Sequence, residues 1–194
     1  MQLRSSCIFL RQMQREKITK EIELPDGVSV SIGEQILLIK GPKGEDKRDI
    51  KKYDISIKTD NKKIILESNG GTKKYKKIAG SLTAHIKNMI RGTLQNYIYT
   101  LKICSGHFPM NISIANNKLI IKNFLGEKVP RVLQLKHGAD VKVEGDLIYV
   151  TSPSKETAGQ ISGDIEQLTR RPGYDCRVFQ DGIYLVNRDG KELK

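Results

Sequence analysis

The sequence predicts an α+β protein of two tandem, duplicated domains, each an antiparallel sheet packed on one helix. Three observations predict it. Ala79–Arg91 (AGSLTAHIKNMIR) and Ala158–Arg170 (AGQISGDIEQLTR) match at an offset of 79, with Ala79, Gly80, Ile86 and Arg91 falling on Ala158, Gly159, Ile165 and Arg170. Val28–Glu45 falls on Met110–Glu127 at an offset of 82, matching Ser31/Ser113, Ile32/Ile114, Leu37/Leu119, Ile39/Ile121, Lys40/Lys122, Gly44/Gly126 and Glu45/Glu127. Finally, Ile78, Leu82, Ile86 and Met89 stand four, four and three apart, one stripe of a helix of period 3.6. Such a stripe must be buried, and the strand-like segments before each copy supply the surface.

Taken in order, residues 1–12 (MQLRSSCIFLRQ) form a basic extension whose apolar core, Cys7–Leu10, is too short for a secretory signal. The first domain is expected at 13–105. Ile18–Leu24 alternates and reads as a strand closed by the Pro25-Asp26-Gly27 turn. Val28–Ile32 and Gln35–Lys40 make a hairpin across Gly33-Glu34, and Gly41-Pro42-Lys43-Gly44 is a second turn. Asp46–Lys52 is polar, an edge strand or open loop; Ile55–Lys58 and Lys63–Glu67 form another hairpin around Asp60-Asn61. Thr72 is placed to N-cap a helix that runs to Arg91 and is closed by Gly92. Thr93–Cys104 then reads as a strand leaving this domain, with the boundary at Gly106-His107-Phe108-Pro109.

The second domain, 106–194, begins with Met110–Ile114 and Lys118–Phe124 turned by Asn116-Asn117. Val129–Leu135 follows with Pro130 marking an edge position. Ala139–Val143 pairs with Leu147–Thr151 across Glu144-Gly145-Asp146. Ser152-Pro153 supplies a cap and a first-turn proline for a helix ending before Pro172-Gly173. Arg177–Phe179, a Gln180-Asp181-Gly182 turn and a final strand, Ile183–Val186, complete it.

A chain of 194 residues carries a net charge of +12, unevenly spread. Between Glu67 and Glu127 there is no carboxylate, while Lys73, Lys74, Lys76, Lys77, Lys87, Arg91, Lys102, Lys118 and Lys122 all fall there. Solvated surfaces normally mix signs, so this stretch points to a polyanion, nucleic acid above all. Lys73, Lys74, Lys76 and Lys77 crowd a helix N-terminus, where the dipole disfavours cations; phosphates outside the helix account for that arrangement. Four Phe, seven Tyr and no Trp, none in a recognition strand, provide no stacking platform. Binding by charge and shape to structured RNA follows.

Catalysis finds little support. His85, His107 and His137 are scattered, and the Gly41–Gly44 turn lacks the spacing of a phosphate loop. Asp164 and Glu166, two apart, share no helix face and form no metal pair. Cys7, Cys104 and Cys176 are odd in number and far apart, which fits reduced thiols and argues against structural zinc.

Lys40–Glu45 (KGPKGE), Gly106–Pro109 (GHFP), Asn123–Lys128 (NFLGEK), Ala158-Gly159-Gln160 with Ile165-Glu166-Gln167, and Val178–Tyr184 (VFQDGIY) resemble the universal large-subunit ribosomal protein family called L-six. The branch is the archaeal and eukaryotic one, whose eukaryotic member is called the ninth large-subunit protein. The resemblance runs from about Met13 onward; residues 1–12 precede the usual start, and Pro172–Cys176 is less basic than in relatives. It implies a structural protein of the cytoplasmic large subunit, assembled in the nucleolus if eukaryotic. It would bind large-subunit rRNA near the sarcin–ricin loop and stalk base, among neighbouring ribosomal proteins and close to translational GTPases, with no catalysis, cofactor, metal or membrane. In or beside these motifs stand the candidate rRNA contacts His107, Lys128, Arg131, Arg170, Arg171, Arg177 and Gln180, added to the helix cations above. The alternatives are a non-ribosomal RNA-binding adaptor or assembly factor of the same ancestry, and an RNA-processing enzyme.

Overall fold

The computed structural model describes residues 18–193 apart from 34–35, 51–52, 54, 61–62, 69 and 176. The extension 1–12 and the start expected at Met13 lie outside the described residues, as do Glu34, Asn61 and Cys176. Two compact units meet in sequence between Thr93 and Leu94. Each is α+β, and its strands divide between two antiparallel sheets.

In the first unit the strands are β1 (Thr19–Glu23), β2 (Ser29–Ile32), β3 (Ile36–Gly41), β4 (Gly44–Asp49), β5 (Ile55–Asp60) and β6 (Lys63–Ser68), followed by helix α1 (Lys73–Leu94). The sheet orders are β2-β3-β4 and β1-β6-β5. Polar β4 is an edge strand, so its alternation of charged residues meets water on one side. Helix α1 buries Leu82, Ile86 and Met89 of the stripe read from the sequence; Ile78 is only half-buried, and its neighbour Ala79 is the buried residue at that turn. Its N-terminal carbonyl is that of Thr72, which accepts the Lys76 amide at 3.0 Å.

Helix α1 does not stop at Gly92. That residue is buried and the helix runs on through Thr93 and Leu94. Thr93 is fully buried because the β3–β4 turn lies against it: its carbonyl accepts the Lys43 amide at 3.0 Å. A side chain on Gly41 would start 2.7 Å from that carbonyl oxygen. Gly41 therefore serves close approach of a turn to a helix end, not a phosphate.

The second unit repeats the plan with β7 (Tyr97–Cys104), β8 (Asn111–Ala115), β9 (Lys118–Lys122), β10 (Arg131–Gln134), β11 (Asp140–Glu144), β12 (Leu147–Ser152), α2 (Lys155–Leu168), β13 (Gly182–Arg188) and β14 (Lys191–Glu192). Its sheets are β10-β9-β8 and β11-β12-β7-β13-β14. Helix α2 lies against β7, β12, β13 and β10. Tyr97, Leu101, Leu119, Ile121, Phe124, Ile148, Val150, Ile161, Ile165 and Ile183 form its core. Each large apolar side chain so buried contributes about 1.5–3 kcal/mol.

The repeat is visible in the pairing register. Ile32 pairs with Leu37 in the first unit and Ile114 with Leu119 in the second, as the 82-residue offset demands. Lys20 opposes Leu66 and Ile22 opposes Ile64 on β1 and β6. The counterparts on β7 and β12 are Tyr99 with Val150 and Leu101 with Ile148. Strand β7 is thus the second repeat's β1. The expectation that Thr93–Cys104 closes the first domain, with a boundary at 105/106, gives way: β7 is bonded on both sides within the second unit's sheet.

Two local expectations also change. Helix α2 is capped by Ser154, whose hydroxyl accepts the Thr157 amide, with no proline in its first turn. Ser152 ends β12 instead, donating its hydroxyl to the Gly138 carbonyl and accepting the Ser154 amide. Asp181 is a buried carboxylate rather than a turn residue.

Candidate nucleic-acid interface

The second unit gathers several sequence candidates at the end of α2. Thr169 stops the helix: its hydroxyl donates to the Glu166 carbonyl and accepts the Ile183 amide at 3.0 Å, fastening the helix end to β13. Between them the chain turns at Asp175, whose carbonyl accepts the Phe179 amide at 2.9 Å while its carboxylate accepts the Arg177 amide at 2.9 Å. This turn aims Phe179 inward and leaves Arg177 and Gln180 exposed.

Asp181 ties the segment to the loop after β7. Its Oδ1 accepts the backbone amides of Gly106 and His107, and its Oδ2 meets His107 Nδ1. Burial pushes the Asp181 carboxyl up, but the His107 amide, the His107 ring and the Gly106 amide outweigh it and hold the pKa below its ordinary value. His107 so held stacks on Phe179, ring centres 5.0 Å apart. Tyr174 meets Phe179 edge-on at 5.1 Å, and the Arg171 guanidinium lies 4.1 Å over the Tyr174 ring.

Beyond Arg171 comes Glu127, 4.0 Å from its Nη1. Glu127 takes a bidentate pair from Arg131, Nε at 2.8 Å and Nη2 at 2.7 Å. Arg131 also donates to the Leu168 carbonyl at the end of α2 and covers the Phe124 ring at 4.3 Å. The Arg131 guanidinium lowers the Glu127 carboxyl, against the partial burial that would raise it, with Arg171 assisting. Arg131 thus spends its donors inside the protein, on a helix C-terminus and a carboxylate.

An open cavity of about 600 Å³ lies along this edge, lined by Arg170, Arg171, Tyr174, Phe179 and Tyr184 among others. Tyr174 and Tyr184 are both exposed, so cations and ring surface share one groove. A platform of aromatic side chains therefore exists where the sequence showed none, assembled from three separated segments. Asp181, Tyr174 and Tyr184 were not among the candidates, although two of them lie in the specific Val178–Tyr184 motif. Among the candidates, Arg170, Arg171 and Gln180 lie at the edge with His107, while Arg177 follows the same loop and Lys128 is exposed beside Glu127. Lys73, Lys74, Lys76, Lys77, Lys87 and Arg91 are exposed on α1 in the other unit. Among the described residues no group of three or more His, Cys, Asp or Glu side chains is set to hold a metal ion, and no helix is long and apolar enough to cross a membrane.

Comparison with known proteins adds the relatives. The family model described as Ribosomal protein L6 matches residues 24–96 and 108–182, one stretch in each repeat. The large ribosomal subunit protein uL6 of Methanothrix thermoacetophila is 40% identical over 173 residues, covering 89% of this chain and 98% of the relative. Its counterpart in Methanococcus vannielii is 40% identical over 176 residues, 91% and 97% of the two chains. That of Methanobrevibacter smithii is 40% identical over 172 residues, 89% and 97%. All three are named for a place in the large subunit, none for a catalytic activity. With both repeats matched and nearly the full length of each relative covered, the chain belongs to the ribosomal protein L6 family.

Proposed function

We propose that this chain is a structural constituent of the large ribosomal subunit and holds large-subunit rRNA along the groove at the end of α2. The observation that carries the reading is the convergence of Arg170, Arg171, Tyr174 and Phe179 on one open cavity. Guanidinium groups there serve phosphates, and ring faces serve any base that leaves its stack. The resemblance of the Gly106–Pro109 and Val178–Tyr184 motifs supports a contact near the sarcin–ricin loop and the stalk base. Neighbouring large-subunit proteins would then surround it, translational GTPases would dock close by, and its place would be the cytoplasmic ribosome, with nucleolar assembly in a eukaryote.

Replacing Arg170, Arg171 and Arg177 by alanine in the full chain tests this. With a large-subunit rRNA fragment carrying the sarcin–ricin loop, the slope of log affinity against log salt should flatten by about two to three units. The urea midpoint should change little. An unaltered slope would remove this edge from the RNA contact. Wild-type protein should also stay with large subunits through a high-salt wash; release would favour a free adaptor.

A further inference from the structure

We infer that the first unit carries a second RNA site, a straight track along α1 that receives the phosphates of a double-stranded RNA segment. The inference rests on the proposed role in rRNA binding and extends it to a different surface. At about 100° per residue, Lys73, Lys76, Lys77, Lys87 and Arg91 fall within an arc of about 100° on α1. Leu82 and Ile86, both fully buried, face the opposite way. The track is about 27 Å long at the rise of an α-helix.

The helix itself leaves a gap in this row, where Gly80 and Ala84 occupy the cationic arc. Lys20 of β1 reaches that gap: its Nζ lies 3.7 Å from the point where a side chain on Gly80 would begin. A strand residue 53 positions before Lys73 in sequence thereby completes a row that helix periodicity alone interrupts.

Pairing separates the lysines of the track from the other lysines on this unit's strands. On the sheets, Lys40 and Lys47 meet Glu45, Lys58 meets Glu67 and Lys63 meets Glu21, all within 3.5 Å. Among the described residues, Lys20, Lys73, Lys76, Lys77 and Lys87 have no carboxylate partner. No acid exists on α1 to provide one. Five lysines lined up without carboxylate partners cost self-repulsion that a polyanion relieves, with release of its counterions.

The track favours duplex over single-stranded RNA. Single strands are held by charge together with ring stacking, and the arc presents no aromatic residue; Tyr75, the aromatic of α1, falls about 200° from Lys73, on the buried side. A row of ammonium groups with no base-reading side chains between them recognises backbone and shape.

The test uses the full chain and a fluorescent RNA hairpin whose stem shares no sequence with rRNA. Changing Lys20, Lys73, Lys76, Lys77 and Lys87 together to glutamine should flatten the salt slope by about three to four units, and changing all five to arginine should preserve it. Glutamine at the paired Lys40, Lys47, Lys58 and Lys63 should move the slope by less than about one unit. Equal losses from both lysine sets would reduce the effect to net charge and overturn the inference, as would an unchanged slope in the Lys20–Lys87 set. Restoring Lys20 alone in the glutamine variant should recover about one unit; no recovery would remove Lys20 from the track. The arginine triple variant at the α2 edge, run in parallel on the rRNA fragment, separates the two proposals. If it loses slope while the α1 variant does not, rRNA binding stands and the track falls.

Discussion

Asp181 grips His107 twice, its Oδ1 accepting the His107 amide at 3.0 Å while its Oδ2 meets the His107 ring. The two residues are 74 positions apart. One buried carboxylate thus decides where the loop after β7 lies relative to β13, and with it the ring on which Phe179 stacks.

Removing that carboxylate should be costly. Asp181→Ala leaves the Gly106 and His107 amides without their acceptor and should destabilise the protein by about 2–4 kcal/mol in urea. Asp181→Asn keeps one acceptor and should cost less. The folded pKa of Asp181 is depressed, so its stabilisation is present above the unfolded pKa of about 3.9 and is lost as pH falls through the folded value. The stability gap between wild type and Asp181→Asn should therefore close below about pH 4. A gap that stays constant down to pH 2.5 would show that charge is not what Asp181 contributes.

Arg131 should behave as a structural residue. Arg131→Ala leaves Glu127 and the Leu168 carbonyl without a donor, and a loss of about 1–3 kcal/mol is expected. Lysine should recover only part of it, since it cannot pair with Glu127 in bidentate fashion. The salt slope for rRNA should be that of wild type. A flattened slope with unchanged stability would reverse the assignment.

Gly44 and Gly126, matched across the repeats, both have positive φ, 149° and 77°. At Gly126 an added Cβ would sit 3.7 Å from the Phe108 ring, an ordinary contact, so the penalty is one of backbone. Alanine at Gly126 should cost about 1–2 kcal/mol. Equal melting temperatures for variant and wild type would contradict this.

Ser68 and Ser152 end β6 and β12, and each is 1% exposed. Ser68 donates to the Gly70 carbonyl and accepts the Ile18 amide; Ser152 donates to the Gly138 carbonyl and accepts the Ser154 amide. Alanine at either removes two hydrogen bonds made by a buried hydroxyl to part-buried backbone groups, at about 0.5–2 kcal/mol. Calorimetry on each single variant measures it, and a change under half a kilocalorie at both would mean that water replaces the hydroxyl.

Much of this was legible in the sequence because periodicity reports which side of an element is buried. The stripe of α1, the hairpins on either side of the β3–β4 turn and the positive-φ Asn116-Asn117 turn follow from local pattern. Partner choice does not. Tyr97–Cys104 reads as a strand, but nothing in its alternation says that β12 and β13 flank it. The cap of α2 was displaced because Ser152 and Ser154 are equally suited to the role, and the distant Gly138 carbonyl claims the first. The aromatic groove was invisible for the same reason, since His107, Tyr174 and Tyr184 come together only through Asp181 and Thr169.

The place of β7 has a consequence for the order in which the protein is made. The first unit is complete once α1 has been synthesised, and its longest strand pairing among the described residues, Thr19 with Glu67, spans 48 residues. In the second unit β7 is made first yet waits for β13: Arg188 pairs with Tyr99, 89 residues away. Loop closure over such a distance slows folding, and until β13 arrives β7 has an open edge at the centre of its sheet. The amino-terminal half can therefore reach its native state during translation, while the carboxy-terminal half closes only after Arg188 has been added.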